Sequence, residues 1–517
     1  MQARKYPIGI QTFAKIIEEG YMYIDKSAFV HQLGSNGGYY FLSRPRRFGK
    51  SLLVSSLEAY FKGKKELFKG LAMEQLEKEW KVNPVFHLDL NAEQYIAPEG
   101  LLSILDRHLR LWENIYGKEE GDKTPADRFI IVIRHAYEQT GRKVVILVDE
   151  YDKPLLQAIG NPTLQDNYRS VLKSFYGVAK TMDSFIHFAF FTGVTKFSKV
   201  SVFSDLNNLK DISLDERFAD ICGITEKEIH ANFDSEVGVM AEKNHFTKED
   251  CYAKLKENYD GYHFYQNTAG VYNPFSLLNA LDSMDFKDYW FETGTPTFLV
   301  ETLKRNNYEL EKLTREEVTA DLLGSLDSIS TNPLPLLYQS GYLTIKQYNP
   351  RFDTYLLGFP NGEVERGFTR FLFRHYAPVR IEESASFVKN FTLEVEGGQP
   401  EKFMTRLEAM FANQDYQLVG DTELYFHNVV SLVFKLLGFY VDVERHTTDG
   451  RMDMLVQTKD YIYIFEFKID KSADAALAQI EEKQYSKPFE HDPRKLYKIG
   501  VNFSSETKRI EGWEVKG

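Results

Sequence analysis

Two groups of residues near opposite ends of the chain have the types and spacing of phosphate chemistry. Near the start, Arg44-Pro45-Arg46-Arg47-Phe48-Gly49-Lys50-Ser51 joins an apolar run ending at Leu42 to a helical pattern over 51–61. A Gly-x-x-x-x-Gly-Lys-Ser loop holds a nucleotide in three ways: its backbone N–H groups wrap the phosphates, the lysine amine bridges them, and the serine hydroxyl reaches Mg²⁺. Gly49, Lys50 and Ser51 form the end of that pattern, at a helix N-terminus whose dipole favours an anion. Arg44 stands where the first glycine belongs, and Pro45 stiffens the loop's entry.

A second element supplies acids to the same chemistry. The apolar run 144–148 reads as a buried strand, and it ends in Asp149 and Glu150. An aspartate there positions Mg²⁺ and a glutamate activates water. The run 187–192 ends in Thr192, whose hydroxyl could orient the attacking water; a threonine at a strand end also often starts a turn. Arg46 and Arg47 adjoin the phosphates and could neutralise transition-state charge, or they could be solvated surface arginines.

Near the end of the chain, Gly450-Arg451-Met452-Asp453 is followed by Glu466-Phe467-Lys468. If Lys459-Asp460 form a two-residue turn, Thr458 pairs with Tyr461 and Asp453 falls opposite Glu466. Cross-strand partners on one face have Cβ atoms about 5 Å apart, close enough for two carboxylates to share a metal. Lys468, two residues on, points to the same face. An oxygen-rich site of this kind suits Mg²⁺ or Mn²⁺, which would polarise a phosphodiester while Lys468 offsets developing charge. An exposed Glu-x-Lys pair is the plain alternative, but Ile462, Ile464 and Phe465 mark the strand as buried on both faces, where a charged pair is costly without a partner.

With these strings, Tyr23-Ile24-Asp25-Lys26, Asp149-Glu150-Tyr151-Asp152-Lys153-Pro154 and Asn207-Asn208-Leu209-Lys210-Asp211 make the chain resemble a known family. It is similar, over nearly its whole length, to AAA-ATPase-like proteins that carry a C-terminal PD-(D/E)XK nuclease-like domain. The resemblance implies an ATPase of the AAA+/STAND-like type with ATP as its nucleotide, and within that family the arginine at position 44 is ordinary. It makes Asp453 the first acid, Glu466 the second and Lys468 the lysine of the nuclease motif. Met452 stands where the motif's proline would be. Glu423, on the preceding helix, resembles the extra acid many such nucleases place near the metal, and Gln479 and Lys483 are candidate backbone-phosphate contacts. Tyr259-Asp260-Gly261-Tyr262 and Tyr272-Asn273-Pro274-Phe275 also resemble family motifs and are most simply structural.

These residues need a scaffold, and the chain's 517 residues exceed one core, with about three domains as the length prior. Through 1–230, apolar strands (39–42, 85–88, 144–148, 187–192) alternate with helices, which predicts a three-layer α/β P-loop ATPase domain with a mainly parallel sheet. Residues 231–375 read as a helical region. Within it a helix over 334–340, Gly341, and strands 342–347 and 354–359 resemble a winged-helix module. Without a basic recognition helix, this module reads as a structural lid rather than a DNA reader. Residues 376–517 read as linking helices and a restriction-endonuclease-like α/β domain: a helix over 423–437, strands 440–444, 451–457 and 461–468, a helix over 473–485, and strands 495–503 and 510–515.

A net charge of -12 excludes a chain coated in basic surface, so nucleic acid, DNA above all, would be held by a local patch. Cys222 and Cys251 are too few for a disulfide framework and read as buried, reduced thiols. No signal-peptide core and no membrane-length apolar run is present, so the expectation is a soluble cytoplasmic protein, open to a homo-oligomer or protein partner. The leading functional expectation is an ATP-gated nuclease. A nucleotide-switched interaction protein with a non-catalytic nuclease fold is the alternative.

Overall fold

The computed structural model describes all residues except 1–3, 122, 197–201, 204–205, 292–296, 324–331, 378, 413–421, 439 and 449–450. The side chains of 297–298, 381, 422–423, 442, 444–448 and 451–453 also lie outside the description. The chain forms two compact units: Met1–Thr295 with Thr314–Val364, and Pro296–Leu313 with Glu365–Gly517.

The first unit is built on β1 (Gly38–Ser43), β2 (Val85–Asp89), β3 (Val144–Asp149), β4 (Ile186–Gly193) and β5 (Leu209–Asp211). All pair in parallel, in the order β2-β3-β4-β1-β5. Every residue of β3 is buried, the mark of a strand covered on both faces. The helix Lys50–Phe61 packs on β2, β3 and β4, while Pro98–Tyr116 and Pro125–Thr140 pack together and on β2 and β3. The parallel sheet and its strands are as the sequence predicts. β4 separates β1 from β3, so the Gly-Lys-Ser loop and the Asp-Glu pair emerge one strand apart at the carboxyl edge, where open α/β sheets bind ligands.

The helices Glu226–Lys243, Lys248–Tyr259 and Pro274–Ser283 enclose a second core of Phe233, Val237, Met240, Cys251, Leu255, Leu277 and Leu281. They flank a short antiparallel pair, β6 (Ile224–Thr225) and β7 (Val271–Tyr272). The helix and hairpin expected in the middle region are present as helix Leu334–Gln339 followed by β9 (Thr344–Asn349) and β10 (Thr354–Gly358). A third strand, β8 (Glu317–Thr319), pairs with β10 and gives the order β8-β10-β9.

In the second unit, β11 (Asp442–Thr448), β12 (Arg451–Gln457), β13 (Tyr461–Ile469), β14 (Lys495–Phe503) and β15 (Ile510–Lys516) form one mixed sheet in sequence order. Only β13 and β14 are parallel, joined through the helix Ala473–Glu482. The apolar side of the helix Thr422–Leu437 packs aromatics onto this sheet: Phe434 against Phe465, with ring centroids 5.0 Å apart, and Phe426 stacked on Phe503 at 3.8 Å. The segment 296–313 is fastened here by Asn428, whose side chain accepts from the Leu310 N–H at 2.9 Å and donates to the Tyr308 carbonyl at 3.0 Å. Cys222 and Cys251 are free and buried. Among the described residues no helix is long and apolar enough to cross a membrane.

Candidate nucleotide and metal sites

The nucleotide loop leaves β1 at Ser43, and its unusual first residue turns inward. Arg44 is 1% exposed and donates to the carbonyls of Ser213 at 2.8 Å and Phe218 at 3.0 Å. Its guanidinium lies 4.0 Å from the centre of the Phe264 ring, and burial holds its pKa below the usual arginine range. Phe48 is also buried, edge-on to Tyr262 at 4.7 Å and to Phe264 at 5.5 Å. The loop therefore rests on an aromatic platform anchored at both ends. Its wrap comes from left-handed residues at Arg47 (φ 68°) and Gly49 (φ 90°). Tyr262 of the Tyr259–Tyr262 motif thus forms part of the platform, beside Phe264.

Lys50 is buried, its Nζ donating to the Pro45 carbonyl at 3.3 Å and standing 3.6 Å from Glu150 Oε1. Burial, and then the neighbouring Glu150 charge, push the Asp149 carboxyl up to about 6, opposed by a hydrogen bond from Ser51. Glu150 sits at φ 52°, uncommon for a residue with a side chain, and its N–H donates to Asp149 Oδ1 at 3.0 Å. Lys50, Ser51, Asp149 and Glu150 are thus brought together. Thr192 lies beside them but is fully buried, and its hydroxyl donates to the Leu42 carbonyl at 2.9 Å. Its proton bridges β4 to β1.

Arg46 and Arg47 are exposed at the mouth of a cleft of about 550 Å³, a size suited to a small-molecule ligand. Arg47 lies over Phe275 at 5.0 Å, and Arg46 reaches the Tyr342 hydroxyl at 3.5 Å. Asn273 caps the helix Pro274–Ser283 by accepting from the Phe275 and Ser276 N–H groups, which sets Phe275 in the cleft wall. Nothing in the local sequence pattern announces the other wall, the turn Pro7–Gln11 with Asn91, and Lys153, quoted above only as part of a family-like string, also lines it. These residues are brought to the cleft by the fold rather than by local pattern.

At the second site the turn forms as its spacing requires. The Thr458 N–H donates to the Tyr461 carbonyl at 2.9 Å, and the Tyr461 N–H to the Thr458 hydroxyl at 2.9 Å. Asp453 pairs with Glu466 in the β12–β13 register. Glu466 is 0% exposed; its Oε1 takes the Lys468 ammonium at 2.6 Å, while its Oε2 is buried without a hydrogen-bond partner among the described residues. Lys468 is held from the other side by Gln479. Lys483 is exposed beyond the end of that helix. A buried carboxylate oxygen without a donor is costly, and a divalent cation is the partner that its lone pairs fit. No group of three or more His, Cys, Asp or Glu side chains is gathered among the described residues. Two members of the expected set, Glu423 and Asp453, have side chains outside them.

Residues 7–203 match the AAA-ATPase-like family, described as a predicted AAA-ATPase, and residues 421–513 match the PD-(D/E)XK nuclease superfamily. A protein of Azotobacter chroococcum mcd 1, named as an uncharacterized protein in the vnfD 5' region, is 35% identical over 532 residues, covering 100% of this chain and 99% of the relative. The chain is an AAA-ATPase-like protein with a C-terminal PD-(D/E)XK nuclease-superfamily domain. In this AAA-ATPase-like protein the first match ends after β4, and the second spans the helix Thr422–Leu437 through most of β15.

Proposed function

We propose that the protein binds and hydrolyses ATP and that its C-terminal domain is a Mg²⁺- or Mn²⁺-dependent nuclease acting on DNA, gated by the nucleotide. In the first unit, Lys50 and the loop N–H groups hold the phosphates, with Arg46 and Arg47 at the cleft mouth. Ser51 and Asp149 would hold the metal, and Glu150 takes the proton of the attacking water. In the second unit, Asp453 and Glu466, joined by Glu423 as the family resemblance implies, would hold a divalent ion that supplies charge to the scissile phosphate. Lys468, fixed between Glu466 and Gln479, stabilises charge on the phosphate oxygens.

The observation that carries the nuclease reading is the buried Oε2 of Glu466, without a hydrogen-bond partner among the described residues and in register with Asp453. The test is incubation of the purified protein with linear, circular and single-stranded DNA, plus Mg²⁺ or Mn²⁺, with and without ATP. Metal-dependent cleavage that disappears in Asp453→Asn supports it. Metal and nucleotide binding without cleavage of any nucleic acid would instead favour a switch protein with a non-catalytic nuclease fold.

A further inference from the structure

Asp152 is fully buried next to the nucleotide site, yet it holds neither metal nor phosphate in the reading above. Its Oδ2 accepts from the Thr195 N–H at 2.6 Å and the Thr195 hydroxyl at 2.5 Å, and its Oδ1 from the Val194 N–H at 3.4 Å. The approach is close enough that a Cβ on Gly193 would lie 2.3 Å from Asp152 Oδ1, so only glycine fits at the end of β4. Tyr151 seals the same junction: its N–H donates to the Thr192 carbonyl at 3.0 Å and its hydroxyl to the Thr195 carbonyl at 3.0 Å. The turn that carries Glu150 is therefore bolted to the segment after β4.

That segment faces two ways. Val194 lines the nucleotide cleft, while the Lys196 N–H donates to Gln339 Oε1 at 2.7 Å, and Gln339 in turn donates to the Leu323 carbonyl at 2.5 Å. The lid meets the nucleotide loop as well. Gly341 (φ 89°) presses on Pro45, where a Cβ would come within 2.6 Å, and the Trp290 indole donates to the Arg46 carbonyl at 3.0 Å. Asp152 is thus the buried node that joins the catalytic turn, the cleft wall and the lid attachment.

We propose that Asp152 is a positioning residue for nucleotide turnover: it fixes the segment after β4 against Glu150, so that base, cleft wall and lid keep one geometry. The proposal rests on the nucleotide reading above. Displacement of a catalytic group by about 1 Å costs about 100-fold in rate, and that is the loss expected for kcat of ATP hydrolysis in Asp152→Ala, with nucleotide affinity within about 3-fold of wild type. Asp152→Asn keeps one oxygen for the Thr195 N–H and recovers part of the rate. Thr195→Val lowers kcat in the same direction, and adding it to Asp152→Ala costs nothing further, because both act through one contact.

Hydrolysis and ATP affinity are measured on the full-length chain for all four variants. A kcat in folded Asp152→Ala within about 3-fold of wild type overturns the proposal, as do losses in the double variant that multiply. If Asp152→Ala does not fold, unchanged kcat in both Asp152→Asn and Thr195→Val overturns it. A wild-type protein that binds no ATP overturns the nucleotide reading itself. One that binds ATP without turning it over leaves that site standing and overturns the role assigned to Asp152.

Discussion

Replacing Lys468 with methionine keeps the aliphatic stem and removes the charge beside Glu466. Glu466 bears the whole consequence, because it has no accessible surface and its second oxygen has no hydrogen-bond partner among the described residues. Removing one member of a buried ion pair costs about 3–5 kcal/mol. In a unit of the size formed by Pro296–Leu313 and Glu365–Gly517, each kcal/mol moves Tm by about 2–4 °C, so the melting transition of this unit should fall by about 6–20 °C in EDTA. In the proposed metal site, a divalent ion between Asp453 and Glu466 would replace the missing positive charge. Mn²⁺ at about 100 times its Kd contributes about 2.7 kcal/mol and should return about 5–11 °C. Adding Asp453→Asn to Lys468→Met should abolish that recovery. Thermal melts followed by circular dichroism, with EDTA or Mn²⁺, read all three outcomes. An unchanged Tm for Lys468→Met in EDTA would refute the ion-pair argument, and Mn²⁺ recovery that survives Asp453→Asn would refute the two-acid metal site.

Lys50→Ala should abolish ATP binding in equilibrium titration, since it removes the buried ammonium that stands beside Glu150 at the end of the phosphate loop, whereas Glu150→Gln should keep binding and stop hydrolysis; equal ATP affinity in Lys50→Ala and wild type would sink the assignment. The pair of His87 Nδ1 and Glu58 Oε2, 2.9 Å apart, should make stability pH-dependent. Burial raises the Glu58 pKa, but its bonds to His87 and Lys62 outweigh this and hold it at about 2; burial lowers that of His87, but Glu58 outweighs it and raises it. Glu58 therefore contributes stability above its unfolded pKa that is lost as pH falls toward 2, and the contribution of His87 is complete below its unfolded pKa and lost as pH rises through its raised value. The stability gap between wild type and Glu58→Gln, measured by urea unfolding, should accordingly narrow from pH 6 to pH 9, and a constant gap would exclude the pairing (the pH values span about the unperturbed histidine pKa of 6.5). ATP should change the DNA affinity of the Glu150→Gln, Asp453→Asn protein by about 5- to 150-fold if the nucleotide gates the nuclease; identical affinities would leave two independent modules.

The parts of the fold that follow local rules were legible in the sequence. Continuous apolar runs announced β1 to β4, and a strand ending in two acids located Asp149 and Glu150. The Asp453–Glu466 register could be counted residue by residue because a two-residue turn leaves no freedom, and the Thr458 hydroxyl closes that turn. The unread parts depend on residues distant in sequence. Arg44 departs from the glycine rule because its anchors, Ser213, Phe218 and Phe264, are brought to it by the fold. Asp152 looked like one more acid in a motif, since nothing local says that Thr195 will meet it. β8 is a three-residue strand, too short for alternation to register, and its partner β10 begins at Thr354.

The interleaving of the two units sets a timetable for synthesis. Tyr308 and Leu310 belong to the C-terminal unit, yet Asn428, which secures them, is made 118 residues after Leu310. At a translation rate of about 5–20 residues per second, that is a delay of about 6–24 s. During the wait Leu299, Val300, Leu303, Leu310 and Leu313, all buried in the finished protein, have no completed core to enter. The nascent chain must therefore carry a sticky, unfinished segment past the ribosome exit while β8, β9 and β10 are still being made. This is the stage at which a chaperone, or a pause in translation, has the most to protect.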